Sequence, residues 1–173
     1  VESEKRDKSI DYIMDCMRIS NILNAKRIVV HSGSASKISR EYALELAKDT
    51  LKRTAERAKS EGYSDIHICP ETMGKINQLG TLNEVLEICS IDERIIPAID
   101  FGHINAREQG SLKTAKDFEN IIVSVKDKLG DYRAKNFHVH FSKIEYSIGG
   151  EKKHLTFDDT VFGPSFEPFA EVI

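Results

Sequence analysis

Cysteine is scarce in this chain and badly spaced for structural work. Cys16, Cys69 and Cys89 are scattered and form no CxxC pair, which argues against a disulfide framework and a zinc knot. All three read as buried thiols of a protein in a reducing, cytoplasmic setting. Long apolar runs are missing as well: nothing approaches the roughly 18 residues that cross a bilayer. The charged opening, Val1 to Lys8, does not resemble a signal sequence. No membrane partner is expected. There is no surplus of positive charge, since 25 basic residues face 28 acidic ones. Non-specific capture of nucleic acid is therefore excluded, and any contact with DNA must be local. Gly33, Gly74 and Gly102 fit neither GxGxxG nor GxxxxGK, so no nucleotide cofactor is indicated. No repeat, low-complexity tract or linker divides residues 1–173, which read as one domain.

What is present is an ordinary globular composition, 40% hydrophobic and 31% charged, arranged in alternation. Ile10, Ile13, Met14, Met17 and Ile22 fall largely on one helical stripe between Ser3 and Asn24. Arg27 to His31 (RIVVH) reads as a buried parallel strand running into Ser32-Gly33-Ser34. Leu44, Ala47, Leu51, Ala55 and Ala58 mark a second helix that ends at Gly62. Asp65 to Cys69 (DIHIC) is a strand broken by Pro70, and Thr81-Leu82-Asn83-Glu84 is a capping box that opens a short helix. Ile95 to Asp100 is a third strand. Phe118, Ile121, Ile122, Val125 and Leu129 mark a helix stopped by Gly130, and Phe137 to Phe141 (FHVHF) is a fourth strand. Ile144 to Thr160 reads as a long loop or a small hairpin around Gly149-Gly150. Pro164 and Pro168 bracket the start of a last helix. Strands alternating with helices imply an α/β fold with a parallel sheet, either doubly wound or closed as a barrel.

The ends of those strands carry the chemistry. His31, Glu71, Asp100 and His140 each stand where a strand stops, and in a parallel α/β fold all strand C-termini lie on one face. His103 follows Asp100 closely enough to reach that face, and His154 lies in the loop beyond the fourth strand. Imidazole and carboxylate together are the ligand set of zinc, manganese or iron, and six such residues have room for more than one ion. Residues at even separation share a strand face, so His67, Cys69 and Glu71 should point one way, as should His138 and His140. His67 and His138 read as hydrogen-bonded interior residues rather than ligands. Lys75, Arg107 and Lys143 each follow a strand end and could meet a phosphate, though solvated loop charge is the simpler reading for any one of them. Tyr146 and Phe162 could stack on a base, or pack within their own loop. The charged run from Lys48 to Lys59 reads as the outer face of a helix.

Taken in order, these segments resemble the endonuclease IV type of apurinic/apyrimidinic endonuclease, within the xylose isomerase-like barrels. His31 in VVHSGS, Glu71 in CPETMGK, Asp100 and His103 in AIDFGHINA, and His140 in VHFSK are similar to that family's strand-end ligands. His154 resembles the histidine of its DxH motif. The resemblance implies a TIM-type (β/α) barrel, here a partial one of about four βα units lacking the first strands and the last. It implies up to three zinc ions, with manganese as a substitute, held by His31, Glu71, Asp100, His103, His140 and His154. Glu71 would be both bridging ligand and catalytic residue, and Lys75, Arg107 and Lys143 would bind substrate. The expected function is cleavage of duplex DNA at abasic sites in DNA repair, by a monomer. Two departures stand out: Lys152 replaces the DxH aspartate, leaving Glu151 as the nearby carboxylate, and the HLND aspartate position reads differently in HFSK. The resemblance also places the chain between the third and eighth strands, so it is expected to be part of a longer enzyme. By itself it should be inactive and expose sheet edges. The alternatives are a sugar isomerase or epimerase on the same barrel, and a degenerate barrel without chemistry.

Overall fold

The computed structural model describes residues 2–35 and 38–173. A long helix α1 (Glu2–Ile22) leads into strand β1 (Arg27–Val30), helix α2 (Arg40–Ser60) and strand β2 (His67–Pro70). Helix α3 (Leu82–Cys89) precedes strand β3 (Ala98–Asp100), and three helices follow: α4 (Phe101–Arg107), α5 (Ala115–Leu129) and α6 (Asp131–Asn136). Strand β4 (His138–His140) leads to a hairpin of β5 (Lys143–Ser147) and β6 (Gly150–Leu155), and the short helix α7 (Glu167–Ala170) comes last.

β1 pairs with β2 and β3 with β4, both in parallel. Parallel bridges from Ile68 to Ile95 and from Glu71 to Ala98 join the pairs into the order β1-β2-β3-β4. Each neighbour is the next strand in sequence, as in a progressively wound barrel wall. The register then separates two faces. Ile28, Ile68, Ile95 and Ile99 point outward into the main core with Met14, Met17, Leu51, Val85, Phe118 and Val125 of the surrounding helices. Val29, Cys69, Ala98 and His138, paired across the strands at the alternate positions, point inward, where Cys69, Ile96 and Ala98 form a small apolar cluster of their own. The inner face is open at β1, where Val29 is 36% exposed.

The helical stripes held with one shift. Ile10, Met14 and Met17 are buried on α1, but Ile22 is exposed, because the same step continues through buried Ser20 instead. Cys16 lies on the outer side of α1 and is exposed, correcting its reading as a buried thiol; Cys69 and Cys89 are buried. Charged residues of α2 do more than face water. Asp49, Arg53, Arg57 and Glu61 pair with Arg6, Asp7, Asp11 and Arg18 of α1, so a row of ion pairs runs along the two helices. Thr81 and Glu84 form the capping box that starts α3. Pro70 closes β2 rather than breaking it. Opposite Val30, its missing N–H leaves no gap, since the next amide, Glu71 N, donates to the Val30 carbonyl at 3.0 Å. The polar stretch around Gly149-Gly150 is a hairpin, and α4 and α6 are helices that the apolar pattern did not mark.

Candidate metal centre

β2, β3 and β4 deliver Glu71, Asp100 and His140 to one end of the sheet, and ligand atoms of these three residues lie within 4.8 Å of one another. Glu71 is 4% exposed and Asp100 3%. Two carboxylates buried side by side are costly to keep unless a cation or a proton stands between them. The carboxylate of Glu71 is turned toward two imidazoles: Oε1 lies 2.5 Å from His140 Nδ1 and Oε2 lies 3.0 Å from His31 Nε2. Asp100 also caps α4, its Oδ1 accepting from the His103 amide at 2.9 Å. Thr72 ties the two strand ends together. Its hydroxyl accepts from the Asp100 amide at 2.9 Å, and its carbonyl accepts from His103 Nδ1 at 2.8 Å.

That last bond fixes the tautomer of His103. A carbonyl can only accept, so Nδ1 carries a proton and the neutral ring presents Nε2 as its lone pair. Nε2 faces His154 Nε2 at 3.3 Å and Glu151 Oε2 at 3.5 Å, while the Ser142 hydroxyl holds His154 Nδ1 at 2.9 Å. His103, Glu151 and His154 thus form a second triad whose ligand atoms converge within 4.8 Å. Donor lone pairs converging on one point repel each other unless a cation or a shared proton occupies it, so both triads fit divalent ions of the zinc or manganese kind.

Glu151 and His154 should face opposite sides of a regular strand, being three residues apart. A bulge reverses this. Glu145 pairs with Lys153 and the next residue, Tyr146, pairs with Glu151, so Lys152 is the extra residue on β6. Lys152 turns away and its ammonium lies 2.6 Å from Glu145. The carboxylate absent from the DxH position is therefore supplied from one residue earlier. Backbone contact locks the arrangement: Glu151 N donates to the Gly74 carbonyl at 3.1 Å. A Cβ on Gly74 would lie 2.6 Å from that of Glu151, so only glycine allows this approach.

The predicted ligands His31, Glu71, Asp100, His103, His140 and His154 are all brought to this one end. Glu151, Thr72 and Ser142 complete it; the sequence offers Glu151 only as a nearby carboxylate, and no spacing rule marks the other two. His67 Nδ1 bonds the Arg94 carbonyl at 3.0 Å, and His138 Nε2 lies 3.2 Å from His140 Nε2. Burial, with His140 and Arg27 nearby, pushes the His138 imidazole below its ordinary pKa. Burial pushes the Cys69 thiol, beneath Glu71, up to about 12. The predicted substrate cations are less free. Lys75 is exposed, but Lys143 Nζ donates to the Asp159 carbonyl, and Arg107 spends its donors on the carbonyls of Met73, Lys75, Ile76 and Gln78. Burial, then the neighbouring Arg40, lowers the pKa of Arg107. Tyr146 and Phe162 pack edge to face on each other, with centroids 5.2 Å apart.

A family model described as the xylose isomerase-like TIM barrel matches residues 1–173. The chain belongs to the xylose isomerase-like TIM barrel family. It is 34% identical over 161 residues to the uncharacterized protein MJ0133 of Methanocaldococcus jannaschii, covering 93% of this chain and 58% of that protein. The chain thus spans a little over half the length of that curated relative. Its fold is also similar to a crystal structure of a D-tagatose 3-epimerase-like protein, with a TM-score of 0.65 and 23% identity over 85% of this chain and 52% of that one. The parallel wall described above is this family's fold. Among the described residues no helix is long and apolar enough to cross a membrane.

Proposed function

We propose that these residues form the ion-binding half of a hydrolytic centre that cleaves phosphodiesters, with DNA at abasic sites as the substrate of first choice. The observation that carries the reading is the pairing of two triads. His103 belongs to the second triad, yet its Nδ1 lies 3.4 Å from Asp100 Oδ2 of the first. Adjacent ion positions suit in-line displacement at phosphorus, where the attacking and the leaving oxygen both need stabilising. Bound divalent ions would supply Lewis acidity and a water that ionises near neutral pH. The chain's own part is placement. Glu71 spans the positions of His140 and His31 and would orient the attacking water. Asp100 and His140 would hold the first ion, and His103, Glu151 and His154 the second. Thr72 keeps the proton on His103 Nδ1. The expected partner is duplex DNA, the expected metal zinc, and Lys75 the cation left to meet a phosphate.

The direct test is incision of a duplex with one abasic site by the full-length protein, before and after chelation and on return of zinc. Metal-dependent incision supports the reading; no incision with a fully loaded centre sinks it. A second reading, a sugar epimerase using the Glu71–Asp100–His140 triad, is favoured by the engagement of Arg107 and Lys143 within the protein. A neutral polyol needs no anion clamp. Metal-dependent epimerisation of ketohexoses, without incision, would establish it.

A further inference from the structure

The segment Thr72–Gly80 follows Glu71 of the first triad and at Gly74 meets Glu151 of the second, and two guanidinium groups grip its backbone. Arg107 Nη1 donates to the carbonyls of Met73 at 2.7 Å and Lys75 at 2.9 Å, and its Nη2 to those of Ile76 at 2.9 Å and Gln78 at 3.1 Å. Arg40 reaches the same segment from α2, donating to Ile76 O at 2.9 Å and Gln78 O at 2.8 Å. The buried carboxylate of Glu84 anchors Arg40 and accepts the amides of Gly80 and Thr81 at 2.8 and 2.9 Å. Carbonyls that converge this densely repel each other unless a multidentate cation holds them, and a lysine offers donors from a single point only.

The carbonyls taken by Arg107 Nη1 flank Gly74. Holding Met73 O and Lys75 O fixes the Met73–Gly74 and Lys75–Ile76 peptide planes, which bracket the Gly74–Lys75 peptide on both sides. The Gly74 carbonyl is then aimed at Glu151 N, and the Gly149 carbonyl at Ile76 N, 3.3 Å away. Arg107 also stands four residues after His103, on the same face of α4. One short helix therefore carries a ligand of the second triad and the group that seats another.

We infer that Arg107 is a positioning residue for the second ion: through Met73 and Lys75 it sets Gly74, and through Gly74 it sets Glu151 beside His103 and His154. This rests on the two-triad reading above and adds a residue that touches neither ion nor substrate. The first triad is reached through strand ends that Arg107 does not hold, so its ion should be spared.

Cobalt(II), whose visible bands report ligand number and geometry, can be titrated into the metal-free full-length protein. The wild type should take up two spectrally distinct equivalents, one for each triad. Arg107→Lys should keep the first and bind the second roughly 10- to 100-fold more weakly, the scale of losing a group that orients a ligand. The weakened band should be the one that Glu151→Gln removes. Millimolar guanidinium should restore it to Arg107→Ala. Wild-type affinity and spectrum at both equivalents in Arg107→Lys would overturn the inference and leave the two-triad reading standing. Equal weakening of both equivalents would also overturn it, as would variants that fail to fold even with guanidinium, since Arg107 would then serve overall stability. A wild type that binds no cobalt would overturn both.

Discussion

His103 Nε2 and His154 Nε2 lie 3.3 Å apart although 51 residues separate them in sequence. Their other ring nitrogens are held by the Thr72 carbonyl and the Ser142 hydroxyl, so neither ring is free to turn away without breaking a bond. A preset pair of this kind binds an ion without first reorganising. His154→Ala in the full-length protein is therefore expected to lower zinc content by about one equivalent and to leave the Glu71–Asp100–His140 position filled. Elemental analysis after gel filtration measures it.

Lys152 is the extra residue of the β6 bulge and points at Glu145. Deleting it would place Glu151 and His154 two residues apart in a regular strand, again on one face. Ion stoichiometry should survive the deletion. Loss of the ion would show that the bulge does more than restore the face.

Glu71 joins the strand-end imidazoles and is almost fully buried. Glu71→Gln keeps its size but removes the charge. Hydrolysis should fall by roughly a hundred- to ten-thousand-fold if Glu71 orients and deprotonates the attacking water. Single-turnover rates with a preloaded enzyme separate this from weaker ion binding.

Gly150 has φ +87°, and a Cβ there would lie 2.1 Å from the Gly74 carbonyl oxygen. The neighbour is backbone held on both sides, so it cannot yield. Gly150→Ala should destabilise the fold by roughly 1–3 kcal/mol and loosen the hairpin that carries Glu151. Urea unfolding followed by circular dichroism gives the first number.

Glu84 supplies a pH dependence. Burial raises its pKa, but Arg40 and the amides of Gly80 and Thr81 outweigh this and hold it below the ordinary carboxylate value. A depressed folded pKa contributes stability above the unfolded value of about 4.3 and loses it as pH falls through the folded one. Glu84→Gln should thus cost about 1–3 kcal/mol near neutral pH, and the difference from wild type should shrink as the solution is acidified below about pH 4. A constant difference across that range would contradict the assignment.

The strand-end residues were legible because parallel topology turns chain order into spatial convergence: once RIVVH, DIHIC, IIPAID and FHVHF read as strands, their ends had to meet. The resemblance to endonuclease IV added the number of ions, the bridging role of Glu71 and the substrate, and the family match supports its barrel while leaving its specific chemistry as the proposal. Glu151 read only as a nearby carboxylate and not as a ligand because a period of two puts residues 151 and 154 on opposite faces, and a bulge leaves no mark in composition. Arg107 read as a free cation because its partners are backbone carbonyls, which every residue has. Ile22 misled as part of an apolar stripe because hydrophobicity records a residue's cost in water, not which way its Cα–Cβ bond turns.

Beneath the carboxylates, the small cluster of Cys69, Ile96 and Ala98 acts as a dry septum across the inner face. Burial raises the pKa of its thiol, so ionising that sulfur costs more here than at the surface. Being apolar, it also holds down the local dielectric, so charges at the strand ends act on one another more strongly than they would over water. Replacing that septum with polar residues would flood the floor and blunt the field above it while leaving every ligand in place.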